Sequence, residues 1–227
     1  GKLSLFVSND TTQNAFFKNV TPHPGGPPLF EERGAVTGVG FGDNGQPQAS
    51  MGIAFDDANR DGRPDLLVTN FTTQASNLYV QQESGDFVDL ARPWRLYDQS
   101  FHRMGWGTQF LDADLDGDPD VLVANGHLED YSRFGIASKM STQFFHNVRG
   151  QRFEELPATT VGPYFAEQHF GRTVARWDWN CDGREDALVT HVDRPVALLR
   201  NETAGAGHRL SLRLVATTTA RDAIGTR

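Results

Sequence analysis

Short, wholly apolar runs recur along the chain, each with small and acidic residues just before it. Leu66-Leu67-Val68, Val121-Leu122-Val123 and Ala187-Leu188-Val189, three residues each, are too short for helices and rich in strand formers. Each sits in the same local order. A Gly-containing strand comes first, over residues 51–55, 105–111 and 171–177. The apolar strand follows, ending in Thr69-Asn70, Ala124-Asn125 or Thr190-His191, and a third strand spans residues 77–80, 143–146 and 196–199. A Gly turn and a fourth strand, 87–90 and 153–156, complete two of the units. The opening residues fit the same scheme without its first strand, with strands at 4–9, 15–19 and 30–32.

The units are spaced by 55 and 66 residues, a period that signals stacked repeats. Four antiparallel strands per unit, repeated in tandem, predict an all-β fold, a β-propeller of four-stranded antiparallel blades. Nearly four blades are visible, which points to part of a larger ring. The blades occupy residues 1–200. Residues 201–207 read as a small-residue linker, and Leu210, Leu212 and Leu214 alternate with polar residues as a new β segment would, within 201–227.

The acidic cluster in each unit is one nine-residue pattern, Asp-x-Asp/Asn-x-Asp-Gly-x-x-Asp. The first copy offers Asp57, Asn59, Asp61, Arg63 and Asp65 as its ligand set. The second offers Asp112, Asp114, Asp116, Asp118 and Asp120, and the third Asp178, Asn180, Asp182, Arg184 and Asp186. Oxygen ligands at alternate positions, with a Gly permitting a sharp turn, suit a hard cation with a large oxygen shell. Ca2+ at about three sites is the expected cofactor. An EF-hand loop opens identically but ends on a bidentate Glu at position twelve and lies between helices. Here position twelve is Val68, Val123 or Val189, and the ninth-position Asp closes each loop between strands. Two loops carry Asn in place of the second Asp. Fewer anionic ligands predict weaker binding there, so the middle site should be the last to empty.

Composition alters this picture little. The formal charge of −8 arises largely from the ten aspartates at the fixed positions of the pattern, and three divalent ions would bring it to about −2. The chain shows no basic stripe, which argues against nucleic acid as a partner. Cys181 is the single cysteine, at the non-ligand fourth position of the third loop, so an intrachain disulfide and a thiolate site are both excluded. No apolar stretch approaches the ~18 residues of a membrane span. The first residues already read as a strand and carry no signal-peptide pattern, which suggests a fragment whose export signal and upstream sequence are not included. Loops of three or four carboxylates suit the calcium level outside cells, so an extracellular, periplasmic or cell-surface location is expected.

These residues resemble the FG-GAP or VCBS repeats also found in integrin α-chain propellers, and more closely the family that adds an ASPIC/UnbV module. Three stretches carry the resemblance: residues 105–127, residues 52–70, and the tail Arg221-Asp222-Ala223-Ile224-Gly225. The resemblance implies a calcium-bearing propeller, usually seven-bladed, of secreted or surface type, with residues 201–227 as the start of a truncated ASPIC/UnbV module. The third repeat departs from the other two by carrying Arg172-Thr173 where they have Gly.

If the metal loops occupy one face, the remaining connections emerge on the other. His102, Arg103, His127, His169, His191, Asp193 and Arg194 fall there, and the 129–140 insertion reads as a surface loop. A protein or glycan ligand on that opposite face is the expected partner. The chain contains no nucleophile motif, zinc signature or phosphate loop. Two functions follow. The favoured one is a noncatalytic, calcium-stabilised binding or adhesion module. The alternative is a polysaccharide-acting lyase or hydrolase that uses the second-face His and Arg residues.

Overall fold

The computed structural model describes residues 2–210, 212 and 215. The protein is all-β, with four antiparallel sheets that follow one another along the chain. The first sheet contains β1 (Leu5–Val7), β2 (Ala15–Asn19) and β3 (Phe30–Glu32). β4 (Ser50–Asp56), β5 (Asp65–Asn70), β6 (Asn77–Gln81) and β7 (Phe87–Asp89) make the second. The third holds β8 (Gly105–Leu111), β9 (Asp120–Asn125), β10 (Gln143–Asn147) and β11 (Phe153–Glu155). β12 (Gly171–Trp177), β13 (Asp186–His191) and β14 (Ala197–Leu199) form the fourth. Each acidic loop therefore joins the first two strands of its sheet, as expected, and the predicted strand order holds in every unit. Among the described residues no sheet closes on itself. The ASPIC/UnbV-like tail at 221–225 lies outside the described residues.

The apolar runs of β5 and β9 are continuous because each is buried on both faces, whereas Leu188 in the third run is only half-buried. In β5, Leu66 and Val68 pack toward the first sheet while Leu67 packs toward the third. In β9, Val121 and Val123 face the second sheet, and Leu122 and Ala124 face the fourth. A strand between two sheets has no solvent face, so the usual alternation with polar residues disappears. The end sheets differ. Leu5 and Val7 of β1 and Leu198 of β14 stay exposed, because no further sheet covers them among the described residues.

The first strands of successive sheets lie side by side, β4 against β8 and β8 against β12. Two glycines make this approach possible. A Cβ on Gly52 would stand 1.9 Å from the Trp106 carbonyl oxygen, and one on Gly107 would stand 2.5 Å from the Val174 nitrogen. Thr69 stitches the first of these contacts, accepting from Gly52 N–H at 2.9 Å and donating to the Trp106 carbonyl at 2.5 Å.

Candidate metal centre

The three acidic loops share one backbone conformation, and the sequence pattern explains it position by position. The first Asp accepts the amides of the fifth and sixth residues: Asp57 from Asp61 and Gly62, Asp112 from Asp116 and Gly117, Asp178 from Asp182 and Gly183, all at 2.7–3.1 Å. The sixth residue must turn left-handed, and Gly62, Gly117 and Gly183 do so at φ of 82°, 89° and 88°. The fourth residue is left-handed too, as Arg60, Leu115 and Cys181. Cys181 is exposed there, facing outward as the pattern implied.

The ninth-position carboxylates are buried clasps. Asp65 takes the amides of Ala58 and Gln81, Asp120 those of Ala113 and Asn147, and Asp186 those of Trp179 and Asn201, at 2.8–3.2 Å. Asp65 and Asp120 thereby tie their loops to the end of the third strand of the same sheet, and Asp186 to Asn201 just past β14. Burial pushes the Asp65 carboxyl up to about 6. Burial also raises Asp120 well above the carboxylate range, although the neighbouring His146, 3.0 Å away, opposes the shift.

The loops diverge in what lies between their carboxylates. In the first, Asn59 Nδ2 donates to Asp61 at 2.8 Å and the Arg63 guanidinium pairs with the same carboxylate at 2.5 Å. The third repeats this arrangement, with Asn180 at 2.9 Å and Arg184 at 2.5 Å from Asp182. An internal cation thus already neutralises the fifth-position carboxylate in both loops. The middle loop has Asp114 and Asp118 at those positions. Asp118 is turned away and buried against the Arg60 guanidinium from the preceding loop. Asp112, Asp114 and Asp116 are left facing one another, each offering an oxygen within 4.8 Å of the others. Two oxygens each about 2.4 Å from one calcium ion lie no more than about 4.8 Å apart, so this triplet can share a single cation. Burial holds Asp112 above its ordinary pKa, with the charges of Asp116 and Asp114 adding to the effect.

Of the predicted ligands, the structure brings Asp112, Asp114 and Asp116 into one convergent group; Asp118 and Asp120 lie outside it. Arg63 and Arg184 place their side chains on a loop carboxylate. The Arg60–Asp118 contact had no signal in the repeat pattern, because it joins a variable position of one unit to a variable position of the next.

On the opposite side the predicted His127, His169, His191 and Arg194 fall into two groups. His169 is fully buried, and its Nδ1 accepts from Arg194 at 2.8 Å while Nε2–H donates to the Tyr164 carbonyl at 3.2 Å. Arg194 also pairs with Glu167 at 2.8 Å, and Lys139 with Asp193 at 2.6 Å. The His191 Nδ1 lies 3.0 Å from the Pro195 carbonyl, which can only accept, so Nε2 accepts the Tyr164 hydroxyl at 2.7 Å. Burial lowers the pKa of His191 and of His127. His127 belongs to the second group, where Arg172 donates to the His127 and Leu128 carbonyls and lies 4.4 Å from the Trp106 ring. His102 stands apart, exposed, against Phe101. Tyr164 and Glu167 were not singled out by sequence, since neither belongs to a repeated position.

All four sheets and all three loops thus define a repeat protein of the all-β class. Residues 57–123, from the first position of the first loop into β9, match the FG-GAP-like repeat. The matched stretch contains the first two acidic loops entire and ends before the third. No curated protein matches the chain. Among the described residues, no helix is long and apolar enough to cross a membrane.

Proposed function

We infer that the protein is a calcium-binding, noncatalytic binding or adhesion module, an arc of a β-propeller acting outside the cytoplasm. The convergence of Asp112, Asp114 and Asp116 carries this reading, because three unneutralised carboxylates at such range repel one another until a cation joins them. The FG-GAP-like repeat at 57–123 supports it. So do the exposed apolar faces of the first and last sheets, which are the surfaces that further blades would cover. The ASPIC/UnbV relationship of residues 201–227 and a protein or glycan ligand on the face opposite the loops complete the proposal. Calorimetric titration of the chelator-stripped protein tests it. Calcium should raise the melting temperature, and the tightest site should vanish in Asp116→Asn. A melting temperature indifferent to both calcium and EDTA would overturn the reading.

One observation favours the alternative, a polysaccharide-acting enzyme. The Tyr164 hydroxyl donates to a His191 ring nitrogen fixed as an acceptor, an arrangement suited to proton transfer. Turnover of an acidic polysaccharide that is lost in Tyr164→Phe would establish this reading over the first.

A further inference from the structure

In the first two acidic loops the left-handed fourth residue is pressed onto the unit that follows. Beside it, Asn147 Nδ2 donates to the Ala58 carbonyl at 2.9 Å and Gly150 packs against Asn59, so the first loop rests on the third sheet. Asn201 Nδ2 donates to the Ala113 carbonyl at 2.8 Å and Gly207 packs against Leu115, which seats the second loop in the same way. This contact needs no charge. The fourth residue is Leu115 in the second loop and Cys181 in the third, yet Arg60 in the first.

The Arg60 guanidinium lies on the turn of the middle loop. Its Nε–H donates to the Asp118 carboxylate, and a Cβ on Gly117, between Asp116 and Asp118, would stand 3.6 Å from its Cζ. Asp118 is buried, while the arginine keeps half of its side chain in water. The hydrogen bond to Asp118 raises the Arg60 pKa, and the charges of Asp118, Asp116 and Asp112 add to the effect, so the guanidinium stands in the field of the middle loop. Among the described residues Asp118 pairs with no other basic group, and Asp112, Asp114 and Asp116 pair with none.

We propose that Arg60 is a tethered counter-cation through which the first loop regulates the middle one, raising the calcium concentration at which Asp112, Asp114 and Asp116 fill. This regulation rests on the calcium reading of the middle loop. A divalent ion entering the triplet meets a fixed positive charge on the same turn, and Asp118, the seventh-position carboxylate, stays committed to the guanidinium. In the metal-free protein the same contact gives the buried Asp118 its counter-ion, without which that carboxylate would be costly to fold. Arg60 thus stabilises the empty loop relative to the filled one. Control passes between units because Arg60 stands between Asn59 and Asp61, both expected ligands of the first loop, so an ion that orders those two also fixes the guanidinium. By linkage, whatever filling the first loop does to the middle one is returned in equal measure.

Calcium titration of the chelator-stripped chain by calorimetry tests this, the middle site being the one lost in Asp116→Asn. Arg60→Gln should tighten that site about tenfold and lower the metal-free melting temperature by about 5 °C. Arg60→Lys, which keeps the charge, should bind calcium as the parent does. In 1 M salt, where screening acts within about 3 Å, the difference between the parent and Arg60→Gln should narrow. A second comparison leaves no stranded carboxylate to unfold the protein: Asp118→Asn alone against Asp118→Asn with Arg60→Gln. Both leave position 118 uncharged, and the double variant should bind calcium about tenfold more tightly than the single one. Equal affinities within both comparisons, in a parent that binds calcium, would overturn the regulation alone and leave Arg60 a structural tie. A parent that takes up no calcium would overturn the calcium reading and the regulation with it.

Discussion

The middle acidic loop and its two neighbours share a backbone but not a charge state. All three are shaped by the same backbone N–H bonds to the first and ninth carboxylates, so shape alone does not distinguish them. The difference lies at the third and seventh positions. Asn59 with Arg63, and Asn180 with Arg184, give the fifth-position Asp an amide donor and a guanidinium. Asp114 and Asp118 give Asp116 neither, and Arg60 engages Asp118 from outside the loop. Folding of the loop and the surplus of negative charge it holds are therefore set by separate residues.

That separation can be broken most severely at the clasp. Asp120→Ala strands the buried amides of Ala113 and Asn147, and the variant should lose about 3 kcal/mol or more in urea unfolding, whether or not calcium is present. Replacing Asn59 and Arg63 together by Asp should convert the first loop to the middle type. Calorimetry should then show its calcium affinity rising about tenfold or more, with little change in metal-free stability. If affinity stays put, the charge contrast between the loops is not what governs binding.

The smallest expected effect is on pH dependence. Asp65 sits near 6 in the folded protein, against about 3.9 in an unfolded chain, so the native state holds the proton more tightly. Its contribution is fully present below about pH 4 and is lost as the pH rises through 6; Asp120 acts in the same direction. The metal-free melting temperature should accordingly decline between about pH 4 and pH 7 relative to a variant lacking these shifts, and calcium should flatten the decline if the clasps sense the ion.

The repeats and their strands were legible in the sequence because doubly buried strands leave continuous apolar runs and each loop repeats the same turn-forming residues. Leu67 and Leu122 show this well: each is buried by a neighbouring sheet that its own unit does not supply. The distribution of charge was not legible. Arg63 and Arg184 occupy ligand positions in the pattern, and only the fold shows their guanidinium groups spanning to Asp61 and Asp182. Arg60 meets Asp118 across 58 residues of sequence, and His169 looked like a loop histidine although Arg194 and Tyr164 enclose it completely. These particular contacts between units follow no repeat, so no periodic reading finds them.

The asparagines at the ends of the third strands carry one more consequence. Asn147 grips the first loop and Asn201 the second, so each of those turns is held from behind by its successor. The Trp179 carbonyl in the third loop lacks this asparagine grip among the described residues, and the amide hydrogens of that turn should exchange soonest of the three.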